Sequence, residues 1–123
     1  MALAAPAHAW PEAERRHVCI LFCDLVGSTP MSQQLDAEDL RIALGSYQHV
    51  CKVVVDRIGG FIAQYRGDNI EVYFGYPVAH EDDATRAVQC GLEMVEAVRK
   101  LADSIKFDLR VRVGIHNGRV VVG

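Results

Sequence analysis

The chain has 123 residues, enough for one small domain and too few for two. Half of the residues are hydrophobic and 24% are charged, so the composition supports a packed core and argues against a wholly disordered chain. Thirteen Lys and Arg against sixteen Asp and Glu leave a net charge of −3, which disfavours a nucleic-acid binder relying on bulk electrostatics.

The segment from Met1 to Pro11 is rich in Ala and Pro and lacks the basic start of a secretory leader. Residues 1–15 are therefore expected to form a flexible tail and 16–123 the domain. Cys19, Cys23, Cys51 and Cys90 form no C-x-x-C pair and have no zinc spacing. All four sit in apolar stretches and read as reduced core residues of a cytoplasmic protein. No run of about 18 apolar residues offers a membrane span.

The first element is a strand. Val18 to Cys23 is an unbroken apolar run, as expected for a strand buried on both faces. It stops at Asp24, and Gly27, Ser28, Thr29 and Pro30 follow as a small-residue turn with a helical turn beginning there. A helix comes next, with Asp36 as N-cap and Glu38 and Asp39 in its first turn. Leu40, Leu44, Tyr47, Cys51, Val54 and Ile58 form its apolar stripe, and Gly59-Gly60 ends it. Residues 61–66 and 69–74 alternate as two strands of a hairpin around Gly67-Asp68. A second helix starts near Glu81–Asp83, with Ala84, Val88, Leu92, Val95, Val98 and Leu101 as its expected buried face. A strand from Leu109 to Ile115 follows. Asn117-Gly118 has the composition of a two-residue hairpin turn into a last strand, Arg119 to Val122.

The order β-α-β-β-α-β-β predicts an α+β, ferredoxin-like fold, an antiparallel sheet with its helices on one face. The apolar strand Val120 to Val122 needs cover, so the domain is expected to be the incomplete, C-terminally truncated part of a longer one.

Taken singly, Asp24 reads as a cap or loop residue and Asp68 as a turn residue. The topology places the end of the first strand against the middle hairpin, and the strand after the first helix is expected beside the first strand. Two carboxylates brought together there repel unless a cation lies between them, and hard divalent ions with oxygen ligands suit the pair. The turn after Asp24 supplies free N–H groups that can cradle phosphate. Metal beside a phosphate cradle points to a nucleoside triphosphate.

The segment Phe22-Cys23-Asp24-Leu25-Val26-Gly27-Ser28-Thr29 resembles the opening motif of the class III nucleotidyl cyclases, the adenylyl and guanylyl cyclases. Gly59-Gly60 with Gln64-Tyr65-Arg66-Gly67-Asp68 is similar to that family's metal hairpin. Arg112-Val113-Gly114-Ile115-His116-x-Gly118 resembles its later strands. The resemblance implies conversion of ATP or GTP to the 3′,5′-cyclic nucleotide and pyrophosphate, for intracellular signalling. Asp24 and Asp68 would hold two Mg²⁺ or Mn²⁺ ions, with the Leu25 carbonyl as a further ligand. The N–H groups of Val26, Gly27, Ser28 and Thr29, together with Arg112, would hold the phosphates. Gln64 stands where many adenylyl cyclases carry a purine-selecting lysine, and unlike lysine it both donates and accepts.

The resemblance also implies a homodimer of the complete domain, in which an Asn-x-x-x-Arg pair comes from the second subunit. That pair lies beyond the later strands, so the chain alone is expected to bind metal and nucleotide and to turn over poorly. An inactive dimerisation or nucleotide-sensing module is the alternative, and a ferredoxin-like domain without metal is a third.

Overall fold

The structure is a computed structural model and describes residues 14–26 and 28–122. Strand β1 runs over Glu14–Val26, helix α1 over Ser28–Gln34 and helix α2 over Ala37–Ile58. Strands β2 (Phe61–Arg66) and β3 (Asn69–Phe74) form the hairpin, followed by helix α3 (Asp83–Ile105) and strand β4 (Arg110–Val122). The sheet order is β2-β3-β1-β4, antiparallel throughout. This is the expected α+β, ferredoxin-like arrangement, with α1 as a short addition. Glu14 and Arg15 already pair with Val122 and Val121. The rest of the expected tail, residues 1–13, lies outside the described residues.

Local chemistry explains the element ends. Asp36 caps α2 by accepting from the Asp39 N–H at 2.8 Å, as expected. Gly59 closes α2 at φ 91°, a conformation that favours glycine. Gly60 then passes so close to β3 that a Cβ would lie 2.7 Å from Val72 Cγ1. Arg86 of α3 donates to the Ile58 carbonyl at 2.9 Å and ties the end of α2 to the neighbouring helix.

Four expectations are corrected. First, β1 is not buried along both faces, since on the face that carries Phe22 only Val18 is buried. Cys19, Leu21, Cys23 and Leu25 are buried, whereas Phe22 is 48% exposed. A continuous apolar run does not distinguish a two-sided strand from a one-sided strand whose open face is also apolar. Second, β1 lies beside β3 and β4, not beside β2, the strand after the long helix. Third, Asn117-Gly118 is no turn. Asn117 pairs with Cys19 and Gly118 with Val18 inside one continuous β4, and neither residue has a positive φ. Thirteen cross-strand partners on β1 override a local two-residue signal.

Fourth, α3 is rotated from the expected face from Ala84 to Val95, although Val98 is buried and Leu101 packs against the core as expected. Ala87, Cys90, Gly91, Met94 and Val98 are buried, while Val88, Leu92 and Val95 are 46–68% exposed and Ala84 is exposed. The helix is apolar on two sides, and the side with small residues wins because it permits close approach. A Cβ on Gly91 would sit 3.0 Å from Val113 Cγ1 of β4. The core lies between these helix faces and the inner face of the sheet. Each fully buried aliphatic side chain there contributes about 1.5–3 kcal/mol.

Candidate active site

The open face of the sheet carries the candidate residues. Side chains alternate along β1, so Ile20, Phe22 and Asp24 point away from the core. Opposite Asp24 stand Asn69 of β3 and Arg112 of β4. Asp68 is the next residue along from Asn69, in the hairpin turn. The sequence therefore brings its two candidate acids to neighbouring positions, although β1 reaches the hairpin through β3.

Arg112 grips Asp24 with two hydrogen bonds, Nη2 to Oδ2 at 3.1 Å and Nε to Oδ1 at 3.2 Å. The guanidinium is 73% exposed and the carboxylate 30%. The hydrogen bond and charge of Asp24, with Asp68 adding a smaller share, push the Arg112 pKa further up, so it stays charged. Around the pair lies a groove of about 270 Å³ lined by Phe22, Cys23, Asp24, Asn69, Arg112, Val113 and Gly114.

Gln64 lies on β2 opposite Glu71. Its amide donates to Glu71 Oε1 at 3.4 Å and its carbonyl accepts from Arg66 at 3.2 Å. The Tyr73 hydroxyl donates to the other Glu71 oxygen at 2.9 Å. Gln64, Arg66 and Glu71 border a second groove of about 280 Å³ that shares Phe22 and Asn69 with the first. A larger cavity, about 660 Å³, lies between the end of α3 and the start of β4, lined by Val95, Ala102, Phe107 and Leu109 among others. None of the candidate site residues lines it.

Leu25 is buried by its side chain, so only its main chain is available as a ligand. The β1–β3 ladder stops at Asp24, leaving the main chain of Leu25 and Val26 without a sheet partner on the hairpin side. Ser28 and Thr29 open α1. Gly27 lies outside the described residues. Among the described residues, no three His, Cys, Asp or Glu side chains form a ready metal cage.

Beneath the acids, α2 supplies two residues that the apolar stripe gave no reason to single out. The Tyr47 hydroxyl is fully buried and donates to the Asp68 carbonyl at 2.9 Å. Its oxygen is also 3.5 Å from the carbonyl and the thiol of Cys23, the residue before Asp24. Gln48 donates to the Gly67 carbonyl at 2.9 Å. Burial pushes the Tyr47 pKa well up, so the hydroxyl keeps its proton and remains a donor. The signal in the sequence was a polar tip on an otherwise apolar stripe. All four cysteines are buried and free, as expected.

Residues 11–123 match the family described as the adenylate and guanylate cyclase catalytic domain. The chain belongs to that family. An adenylate cyclase of Anabaena cylindrica is 30% identical over 119 residues, covering 90% of this chain and 23% of the relative. The adenylyl cyclase CyaB from P. aeruginosa superposes with a TM-score of 0.88 at 30% identity, over 91% of this chain and 61% of that one. The guanylyl cyclase Cya2 gives 0.85 at 38% identity, over 91% and 59%. The chain spans less than a quarter of the length of the curated relatives it matches. Among the described residues, no helix of this cyclase domain is long and apolar enough to cross a membrane.

Proposed function

We propose that this domain converts ATP or GTP to the 3′,5′-cyclic nucleotide and pyrophosphate with two divalent ions, as a signalling enzyme of the cytoplasm. The observation that carries the reading is the placement of Asp24 opposite Asn69, beside Asp68, with a cation already seated on its carboxylate. Residues 16–123 are read as the N-terminal portion of a cyclase catalytic domain whose complete form is a homodimer. The 59–61% share of the two solved relatives supports the reading as part of a longer unit. The cytoplasmic location is read from four free thiols.

The donor set fits Mg²⁺ or Mn²⁺. Asp24, Asp68 and the Leu25 carbonyl offer hard oxygens and no thiolate or imidazole. When bound, the ions would lower the pKa of the ribose 3′-hydroxyl and offset charge on the triphosphate. The chain's own part is alignment and charge. N–H groups from Val26 through Gly27 and Ser28 to Thr29 receive the β- and γ-phosphates. Arg112, released from Asp24, offers a planar fork of donors to a phosphate. Held in this way, the substrate presents its 3′-oxygen to the α-phosphorus. The new O–P bond forms as the bond to the pyrophosphate oxygen breaks, the 3′-hydroxyl proton passing to solvent and pyrophosphate leaving with the electron pair of the broken bond. Gln64, with a donor and an acceptor on one amide, faces the purine and suits either base.

The test is Mn²⁺ binding by electron paramagnetic resonance on the wild-type chain and on Asp24→Asn, followed by assays of the complete homodimeric domain with ATP and with GTP for each cyclic product. Binding should be saturable in the wild type and lost in the variant with the fold intact. Absence of Mn²⁺ binding, or undiminished binding by Asp24→Asn, refutes the reading. The product formed identifies the nucleotide.

A further inference from the structure

Tyr47 and Gln48 are neighbours on α2, and each donates to one of two neighbouring carbonyls in the β2–β3 turn. Tyr47 holds Asp68 and Gln48 holds Gly67, both at 2.9 Å. The turn needs such support. Its strand β2 is an edge strand of the sheet, and the β2–β3 register is interrupted between Ile62 and Gln64. Gly67 turns the chain at φ 64° and has nothing within 4 Å of where a Cβ would be, so no packing fixes it.

The Tyr47 hydroxyl also sits 3.5 Å from the carbonyl and the thiol of Cys23. One buried oxygen thus stands between the two stretches of chain that carry the two acids. The phenol ring packs the core, but only the hydroxyl reaches the hairpin. Paired ligands work when their supporting groups hold them to about half an ångström.

We propose that Tyr47, seconded by Gln48, is a positioning residue that holds Asp68 in register with Asp24 and thereby sets the metal affinity of the acid pair. The proposal rests on the acid pair being the metal site proposed above. Neither residue touches metal or nucleotide. Their effect passes through the main chain of the hairpin.

The experiment titrates Mn²⁺, read by electron paramagnetic resonance well below the melting temperature, into wild type, Tyr47→Phe, Gln48→Ala and Asp68→Asn. Tyr47→Phe keeps the ring and should weaken Mn²⁺ binding about 10-fold, in the range typical of groups that orient ligands. Gln48→Ala, on the half-buried side of α2, should weaken it less and in the same direction. Simple destabilisation would lower the melting temperature and leave the affinity of the folded protein unchanged.

Wild-type binding that is lost in Asp68→Asn but unchanged in both α2 variants overturns the positioning role and leaves the metal site standing. Absence of binding in the wild type overturns both. If Tyr47→Phe does not fold, Gln48→Ala decides. Unchanged affinity in that variant overturns the proposal, and weakened affinity supports it.

Discussion

Asp24 carries a guanidinium at the place where the proposed chemistry calls for a metal ion, and the two cations compete for one carboxylate. The Arg112 side of the pair is largely exposed, so water and salt weaken its hold on Asp24 and a divalent ion can displace it. Removing the competitor should therefore help the metal and harm the phosphate contact. Arg112→Gln is expected to bind Mn²⁺ about two- to fivefold more tightly, the modest gain expected from losing an exposed ion pair. The same variant should bind a nucleoside triphosphate more weakly. Titration of Mn²⁺ alone and of a fluorescent triphosphate separates the two effects. Mn²⁺ affinity equal to or below that of the wild type would sink the idea of competition. At this scale the placement of the acids at a strand end and in a hairpin turn was legible in the sequence, because Asp24 interrupts an apolar run and Asp68 follows a turn glycine. The Asp24–Arg112 pair was not, since 88 residues separate the partners and only the β1–β4 register brings them together. Tyr47 was legible as a core position, but a helical stripe fixes a side and not the atom that a hydroxyl reaches.

Elements were legible where pattern and cap agreed, and misread where two solutions were nearly equal. Helix α2 has one apolar stripe and an Asp36 cap, and it formed as expected over Ala37–Ile58. Helix α3 has two apolar sides, and hydrophobicity alone points to the larger residues Val88, Leu92 and Val95. Packing chooses the smaller ones, since Gly91 lets β4 approach to the point where a Cβ would touch Val113. Asn117-Gly118 failed for a related reason, because a turn signal counts only local conformation while the ladder counts every partner on β1. Two glycines test the packing argument in opposite directions. Gly91→Val should destabilise the fold by about 1–3 kcal/mol, the ordinary cost of overfilling a tight contact. Gly45→Ala, in exposed α2 with nothing within 4 Å of its Cβ position, should stabilise it by about 0.4–1 kcal/mol. Urea unfolding of both variants provides the check. A Gly91→Val protein as stable as the wild type would mean that α3 and β4 do not meet there.

The whole molecule divides its polar work between two faces of one sheet. The open face keeps Asp24, Arg112, Gln64 and the exposed Phe22 within reach of a ligand, while the covered face buries Cys19, Cys23, Cys51, Cys90 and Tyr47. Ionising Cys19, Cys51, Cys90 or Tyr47 in place is costly, and that cost links stability to pH. Burial pushes the Cys90 thiol from 9.0 up to about 12, and burial also raises the Cys19 thiol. Contact with Cys23 and burial push the Cys51 thiol well up. Each such group keeps its proton in the folded state after the unfolded chain has released it. The unfolded state then binds fewer protons, so stability falls as pH rises. The contribution is complete below pH 9.0, the thiol value expected of the unfolded chain, and for Cys90 it is lost as pH climbs towards about 12. The expected result is a stability plateau on the acid side of pH 9 and a declining alkaline limb. Cys90→Ala should start from a lower plateau and decline less steeply, by about one proton between pH 9 and 12. Urea midpoints measured every half pH unit give both slopes. Parallel alkaline limbs in wild type and variant would show that Cys90 titrates alike in both states, and that the thiols are not sealed between sheet and helices.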